Sequence, residues 1–567
     1  MSAGMPPLIP REALLGNARR ANPLLSPYGT RITYLAPDDR DVTQVWIRTI
    51  GANDDRCVSS ARRSIQDHEW ACDSLTILYR QDDDGDENYH LCAIDVQSET
   101  TRDLIPWRGV RCHYTLTRPS RPHEIVAALN VRDRNALDAW RIDLRTGAAT
   151  LCAENPGGFS WWLADDDLAV RGLRAYTDDG GFEVRVRATD DAPWRTLVRT
   201  APEEWIFPFD FSKDGRRIFL LSSVGNDTIR VLERDIGSDR EREVAAMDGF
   251  DAERVMIHPV RREIEAVAFE PARRKWVVVD PAIGADFDAV RELDDGDFHI
   301  VSRDLADRKW IVEFRSAHRS TRYLLWDRAQ RKASFLFSQR PELDALQLAE
   351  VRPMKYRARD GLEVHCYLAI PPGLEPRHLP LVIGVHGGPM QRDYWALNQW
   401  TQFFCNRGYA VLQPNFRGSM GYGMRHLHAG DRQWGREMQD DLTDAVNWAD
   451  AQGIADPKRV TIFGLSYGGY AALAGAVFTP DVYKCAIDVC GQSNLFTAVS
   501  SFPAYWGMRA IWNARVGNPD DPADQELLRN ASPLFAADKI RISLLIAQGA
   551  EDPRVPQSES EQIVAAI

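Results

Sequence analysis

The chain has no histidine after His428, although its most recognisable motif lies further on, at residues 461–472. Other shortages are as informative. No apolar run reaches the roughly 18 residues of a membrane-spanning helix, and the opening MSAGMPPLIPREALLG has no basic flank followed by an apolar stretch, so no secretory leader is expected. The nine cysteines, scattered from Cys57 to Cys490, are odd in number and never spaced CxxC, which excludes a disulfide framework or zinc ribbon and fits reduced thiols of a cytoplasmic protein. With 69 basic against 82 acidic residues, the net charge of -13 gives no reason to expect nucleic acid or an anionic membrane as partner. His426 and His428 stand two apart without a third ligand nearby, so no metal is expected, and no other cofactor. The acidic stretch RQDDDGDENYH, residues 80–90, has no spaced calcium-loop pattern and reads as a solvated turn.

What is present divides in two. At 567 residues the chain is too long for one ordinary core. From about residue 22 to 344, short alternating strands are separated by Asp, Gly, Pro and Asn turns: LLSPYGTRITYLAP with TQVWIRTI is followed by six looser copies. A period of roughly 46 residues suits a four-stranded blade, which predicts a β-propeller of seven blades; a solenoid or two stacked sandwiches is the alternative. From 345 to 567 apolar strands alternate with helices, as in a mostly parallel sheet covered on both faces. Residues 1–21 form an N-terminal arm, expected to pack on this second region.

In such a sheet, sites collect at the carboxyl ends of the strands. TIFGLSYGGYAA places a G-x-S-x-G between a buried strand and a helix, so that Ser466 stands on a tight turn with Gly464 and Gly468 leaving room around it. The helix that follows offers backbone N–H groups, that of Tyr467 among them, to a developing oxyanion. The glycine turn of VIGVHGGP, with His386 and Gly387, is where a second donor belongs, unless His386 merely packs and the glycines merely turn the chain. Asp552 follows the strand ISLLIA and suits an orienting acid, with Glu551 as its competitor. Arg417 either binds a substrate carbonyl or braces its own loop. Tyr505, Trp506 and Trp512 either wall an apolar pocket or form a helix face in the core.

HGGP at 386–389, NFRGSMGYG at 415–423, WG at 434–435, GLSYGGY at 464–470 and EDPRVP at 551–556 together resemble the prolyl oligopeptidase family of serine peptidases, in its acylaminoacyl-peptidase-like branch. The resemblance implies a propeller capping an α/β-hydrolase domain, with the site in a cavity between them that admits oligopeptides or small acylated compounds. It implies Ser466 as nucleophile and Asp552 as acid. The Tyr467 N–H and the position of His386 are then the oxyanion contacts. It leaves the residue preference, a free or blocked amino terminus, and a homo-oligomeric state open.

The departure from the family is the base. Its histidine lies beyond the acid, and no residue here matches it. Three accounts follow: the sequence stops before the last helix of a longer enzyme; it is a short product with a peptide-binding or scaffold role; or the base comes from another chain or an unexpected residue. SESEQIVAAI reads as an amphipathic helix without a terminal breaker, which favours the first. Peptidase and esterase share the triad chemistry and are not separated by it.

Overall fold

The structure, a computed structural model, describes residues 4–567 except 83, 84, 158, 239 and 503–507. Residues 21–338 form seven β-sheets in sequence order, six of four strands and one of three, each strand pairing antiparallel with its chain neighbour. This is a seven-bladed propeller. The inner and middle strands are buried on both faces because each blade lies between two others: Arg31–Pro37 and Ile264–Phe269 expose almost nothing. The outermost strands, such as Thr100–Asp103, turn charged and hydroxyl side chains to solvent, which protects their free edges.

Separate apolar clusters join each blade to the next. The ring closes between the first and last blades by side-chain packing of Leu25, Ile32 and Tyr34 on Ile311, Tyr323 and Phe337, and by backbone bonds such as Leu305 N–H to Pro27 O (2.8 Å). The sixth blade departs from the expected four strands. After Lys275–Val278 the chain forms the helix Gly284–Arg291, whose Phe287 and Val290 pack on Trp310 and Phe314 of the seventh blade.

The second region is an α/β-hydrolase domain around a seven-stranded sheet. In spatial order its strands are Val351–Arg357, Glu363–Ala369, Ala410–Asn415, Leu379–Val385, Ala455–Leu465, Cys485–Val489 and Ser543–Ala547. The first three pair antiparallel and the rest run parallel. Ser543–Ala547 is an edge strand with Leu545 60% exposed, whereas Ala455–Leu465 is central. Residues 7–15 lie against the helix Gln399–Cys405 and the chain just after it. Ile9 and Leu14 pack beside Leu343, Leu348 and Phe403, and Ile9 N–H donates to Asn406 Oδ1 (2.6 Å). Among the described residues no helix is long and apolar enough to cross a membrane.

The propeller is fastened to the hydrolase domain at the loop after Asn415. Asp251 Oδ2 accepts from the N–H groups of Gly421 (2.9 Å) and Gly423 (3.3 Å), and Asp227 accepts from those of Met424 and Arg425. These bonds fix the propeller over the carboxyl ends of the sheet strands, where a site is expected.

Candidate active site

Ser466 occupies the turn between the central strand Ala455–Leu465 and the helix Tyr467–Phe478, with φ +57° and ψ −118°, a backbone conformation strained for any residue with a side chain. The surroundings leave the turn no alternative. A Cβ on Gly464 would lie 2.5 Å from the Gly468 carbonyl carbon, one on Gly468 2.1 Å from Val385 O, and one on Gly469 2.2 Å from Asp488 Oδ1. Ser466 N–H donates to Val489 O (2.9 Å) and its own carbonyl accepts from Tyr470 N–H (2.9 Å), so the serine backbone is tied to the neighbouring strand and to its helix. Tyr467 begins that helix, and its N–H has no intrahelical acceptor by helix geometry. Its ring is buried against Trp434 and Phe416.

Gly387 approaches from the adjacent strand end: a Cβ there would stand 3.5 Å from Ser466 Cβ. His386, one residue earlier, has both ring nitrogens engaged. Nδ1 lies 2.9 Å from Gly387 O and Nε2 2.9 Å from Ser419 Oγ, and the ring stacks on Phe416. Burial holds this imidazole neutral, its pKa lowered to about 4. A neutral ring donates once and Gly387 O can only accept, so Nδ1 carries the proton, while the single Ser419 hydroxyl proton lies between His386 Nε2 and Phe416 O (2.7 Å). The His386 ring therefore braces the glycine loop, and the groups left facing Ser466 are backbone ones.

Asp552 lies in the loop after the edge strand. Its Oδ1 accepts from the N–H groups of Arg554 (2.9 Å) and Val555 (3.0 Å); among the described residues nothing hydrogen-bonds its Oδ2. Cys490 marks where the two loops converge: burial first and the Asp552 charge next push its thiol up, while the Ser466 backbone N–H favours the thiolate. Glu551 is exposed beside Asp552. Among the described residues no histidine hydrogen-bonds Ser466 or Asp552; His426 meets the carbonyls of Asn415 and Phe416, and His428 meets Asp431 and Glu203 O.

Two groups singled out from the sequence are placed differently. Arg417 does not reach a substrate cavity. Its Nε and Nη2 bind Asp441 (2.9 and 2.8 Å), Nη2 also meets Asp360 (2.9 Å), and Nη1 pairs with Glu437, so the expectation that it contacts substrate is corrected to bracing. Tyr505 and Trp506 lie outside the described residues, while Trp512 packs against Phe502 with the rings tilted by 38° and lines the cavity described next.

A cavity of about 630 Å³ opens between the two domains. Gly388 of the glycine loop and Arg554 of the acid loop border it, together with Met390, Met420 and Trp512. The propeller supplies Arg80, Glu87, Arg111, Arg174 and Trp205, among others. Sequence reasoning missed these propeller residues, as it missed Asp488, which lies beneath the turn. Asp488 is fully buried, with Oδ1 accepting from Gly491 N–H and Oδ2 without a hydrogen bond among the described residues, and burial raises its pKa to about 7. Elsewhere, His258, Glu265 and Asp307 come within 4.8 Å of one another, yet Arg303 already bridges the two carboxylates (2.6 and 2.5 Å) and takes the place a cation would fill.

Comparison with known proteins bears on this geometry. The sequence model of the prolyl oligopeptidase family matches residues 395–567. Dipeptidyl aminopeptidase BIII of Pseudoxanthomonas mexicana is 36% identical, over 99% of this chain and 83% of its own length. Dipeptidyl peptidase family member 6 of Caenorhabditis elegans is 29% identical, over 99% and 81%. The solved structure of a Mycobacterium tuberculosis puromycin-hydrolyzing peptidase superposes with a TM-score of 0.81 at 19% identity, covering 100% of this chain and 91% of that one, a likeness of fold.

Proposed function

The chain belongs to the prolyl oligopeptidase family of serine peptidases, and on that premise we propose that it cleaves short peptides in the interdomain cavity through an acyl-enzyme on Ser466. The observation that carries this reading is the turn at Ser466 with the Gly387 backbone packed beside it. In the proposed reaction a base takes the Ser466 proton as Oγ attacks the peptide carbonyl. The N–H groups of Tyr467 and Gly387 receive the oxyanion, the base returns the proton to the departing amine, and water releases the acyl group. Asp552, with Oδ1 held by two backbone N–H groups, keeps Oδ2 to accept from and orient an imidazole. The names of the two relatives extend the proposal to release of dipeptides from a free amino terminus. The 630 Å³ cavity suits a substrate of a few residues rather than a folded protein.

Among the described residues no histidine hydrogen-bonds Ser466, and loss of one triad member typically costs roughly 10⁴-fold or more in turnover. The test is therefore chemical rescue. The intact mass is followed during reaction with a fluorophosphonate, with and without added imidazole, for the chain and for Ser466→Ala. Slow single labelling that imidazole accelerates and Ser466→Ala abolishes is expected. Labelling that persists in Ser466→Ala would remove Ser466 from the role. No labelling even with imidazole would favour a second reading, an inert peptide-binding protein, which the missing imidazole contact supports.

A further inference from the structure

Glu559 and Glu561 stand two residues apart on the helix Gln557–Ala566, which follows the loop of Asp552. Glu561 is exposed, as a carboxylate on an outer helix should be, whereas Glu559 is 1% exposed. Taking a carboxylate out of water is costly unless hydrogen-bond donors replace the water. They do so here: Oε2 accepts from the N–H groups of Ser493 (2.8 Å) and Asn494 (3.0 Å), and Oε1 from the Thr497 hydroxyl. The single Ser493 hydroxyl proton lies between Glu559 O (2.6 Å) and Oε2 (3.2 Å). A carboxylate bound by two backbone N–H groups and a hydroxyl is a firm attachment.

The attachment joins the two halves of the site. On one side, residues 488–494 run beside the turn of Ser466: Val489 O accepts from Ser466 N–H (2.9 Å), and a Cβ on Gly469 of the serine helix would stand 2.8 Å from Gly491 Cα. Ser493 and Asn494 continue this segment. On the other side, Glu559 lies seven residues beyond Asp552. The Asp552 loop is closed at its foot by Gln548, whose Nε2 donates to Val555 O (2.9 Å) and whose Oε1 accepts from the Ser560 hydroxyl (3.0 Å). Another tie of this loop, Arg554 to Glu87, leads away to the propeller.

We propose that Glu559 is a positioning residue: through its bonds to Ser493, Asn494 and Thr497 it sets where Asp552 stands relative to Ser466. It touches no reacting atom and acts only through Asp552. This rests on the peptidase reading above, but the placement of Asp552 can also be read without catalysis, because Cys490 senses it. Burial pushes the Cys490 thiol up and the Asp552 charge adds to the shift, so an acid that moves away lets the thiol ionise at lower pH.

The test is a double-mutant cycle on the whole chain: the parent, Glu559→Ala, Asp552→Asn and the two together, with thermal melts confirming that each folds. Alkylation of Cys490 by iodoacetamide is followed against pH by peptide mass spectrometry. The pH of half-maximal rate reports ionisation, the plateau reports exposure, and Cys485 in the same digest is the control for general loosening. Asp552→Asn is expected to lower that pH by roughly half a unit. Glu559→Ala should lower it by part of that, Glu559→Gln by less because it keeps one accepting oxygen, and Glu559→Ala added to Asp552→Asn should change nothing further. Should Glu559→Ala fail to fold, Thr497→Val removes one bond of the same carboxylate and is read in the same way.

The second readout is labelling of Ser466 by a fluorophosphonate. The imidazole concentration for half-maximal acceleration should rise roughly 5-fold or more in Glu559→Ala, while labelling without imidazole stays within about two-fold of the parent. An unchanged Cys490 profile in Glu559→Ala, an equal shift with and without Asp552, or an Asp552→Asn profile identical to the parent's would overturn the proposal. If imidazole accelerates nothing in the parent, the peptidase reading fails there, and the Cys490 cycle still decides what Glu559 does.

Discussion

The turn that carries Ser466 and the loop that carries Asp552 sit at the ends of strands in the same sheet, yet they are held by different physics. Ser466 stands on the central strand, where three glycines meet backbone or a buried carboxylate at distances no Cβ tolerates. Asp552 follows an edge strand. Its loop is shaped by two hydrogen bonds to its own carboxylate and tied to the propeller by the Arg554–Glu87 pair. In the roles proposed above, a nucleophile held in a strained conformation needs packing that leaves it no alternative, whereas an acid that only orients a partner can sit on a loop able to adjust.

The sharpest way to break that contrast is one methyl group placed on each side. Gly468→Ala sets a Cβ 2.1 Å from Val385 O, which is backbone of a central strand and cannot yield. A loss of about 3 kcal/mol or more, or no folded protein, is expected. Gly549→Ala meets only Asp552 Cβ at 3.7 Å and should melt within a degree or two of the parent, roughly the effect of an ordinary surface change. Thermal melts of the two variants decide it, and similar losses in both would mean that the acid loop is packed as tightly as the serine turn.

Much of this architecture could be read from the residues in order, because it is built from local regularities. The strand, turn and helix around Ser466 announce themselves through Gly464 and Gly468, and the blades through alternation of apolar and polar positions between turn residues. The helix Gly284–Arg291 escaped because two turns with Phe287 and Val290 carry too little periodicity to stand out from a strand repeat. Arg417 was ambiguous for a different reason. Its neighbours in sequence belong to the site loop, but Asp441 and Glu437, its partners in space, lie 20 or more residues away. Arg111 and Arg174 had no signal at all, since nothing in the sequence of the third or fourth blade says that it faces a hydrolase.

Asp488 lies between the two regions, on the strand that separates the serine turn from the edge, and it offers a pH-resolved test. Its folded-state pKa is raised to about 7 by burial, well above the usual carboxylate value. Across that window the folded chain keeps a proton that the unfolded chain has released, so its contribution to stability falls as pH rises and is fully unfavourable above about pH 7. Asp393, in the loop before the helix Gln399–Cys405 and also raised to about 7 by burial, acts in the same direction. Buried histidines such as His386 and His426, lowered to about 4, act oppositely: the unfolded chain takes up protons that the folded one refuses, and stability is lost as pH falls from about 6.5 to 4. Asp488→Asn isolates one term. Relative to the parent it should gain ~4 kcal/mol between about pH 4 and pH 8 by denaturant unfolding. A flat difference would show that Asp488 ionises normally.

The smallest effect tests the other end of the comparison. The Arg554–Glu87 pair joins the acid loop to the second blade, but the Arg554 side chain is 58% exposed, and exposed pairs contribute about 0.5 kcal/mol. Arg554→Gln should therefore leave the melting temperature nearly unchanged. What it should alter is local. Amide exchange across residues 549–555 is expected to quicken a few-fold, while exchange across 464–470 stays as slow as in the parent, because no contact of the serine turn passes through Arg554. If both segments quicken together, the two loops open as one unit, and the propeller would be gripping the whole site through this pair rather than only its acid.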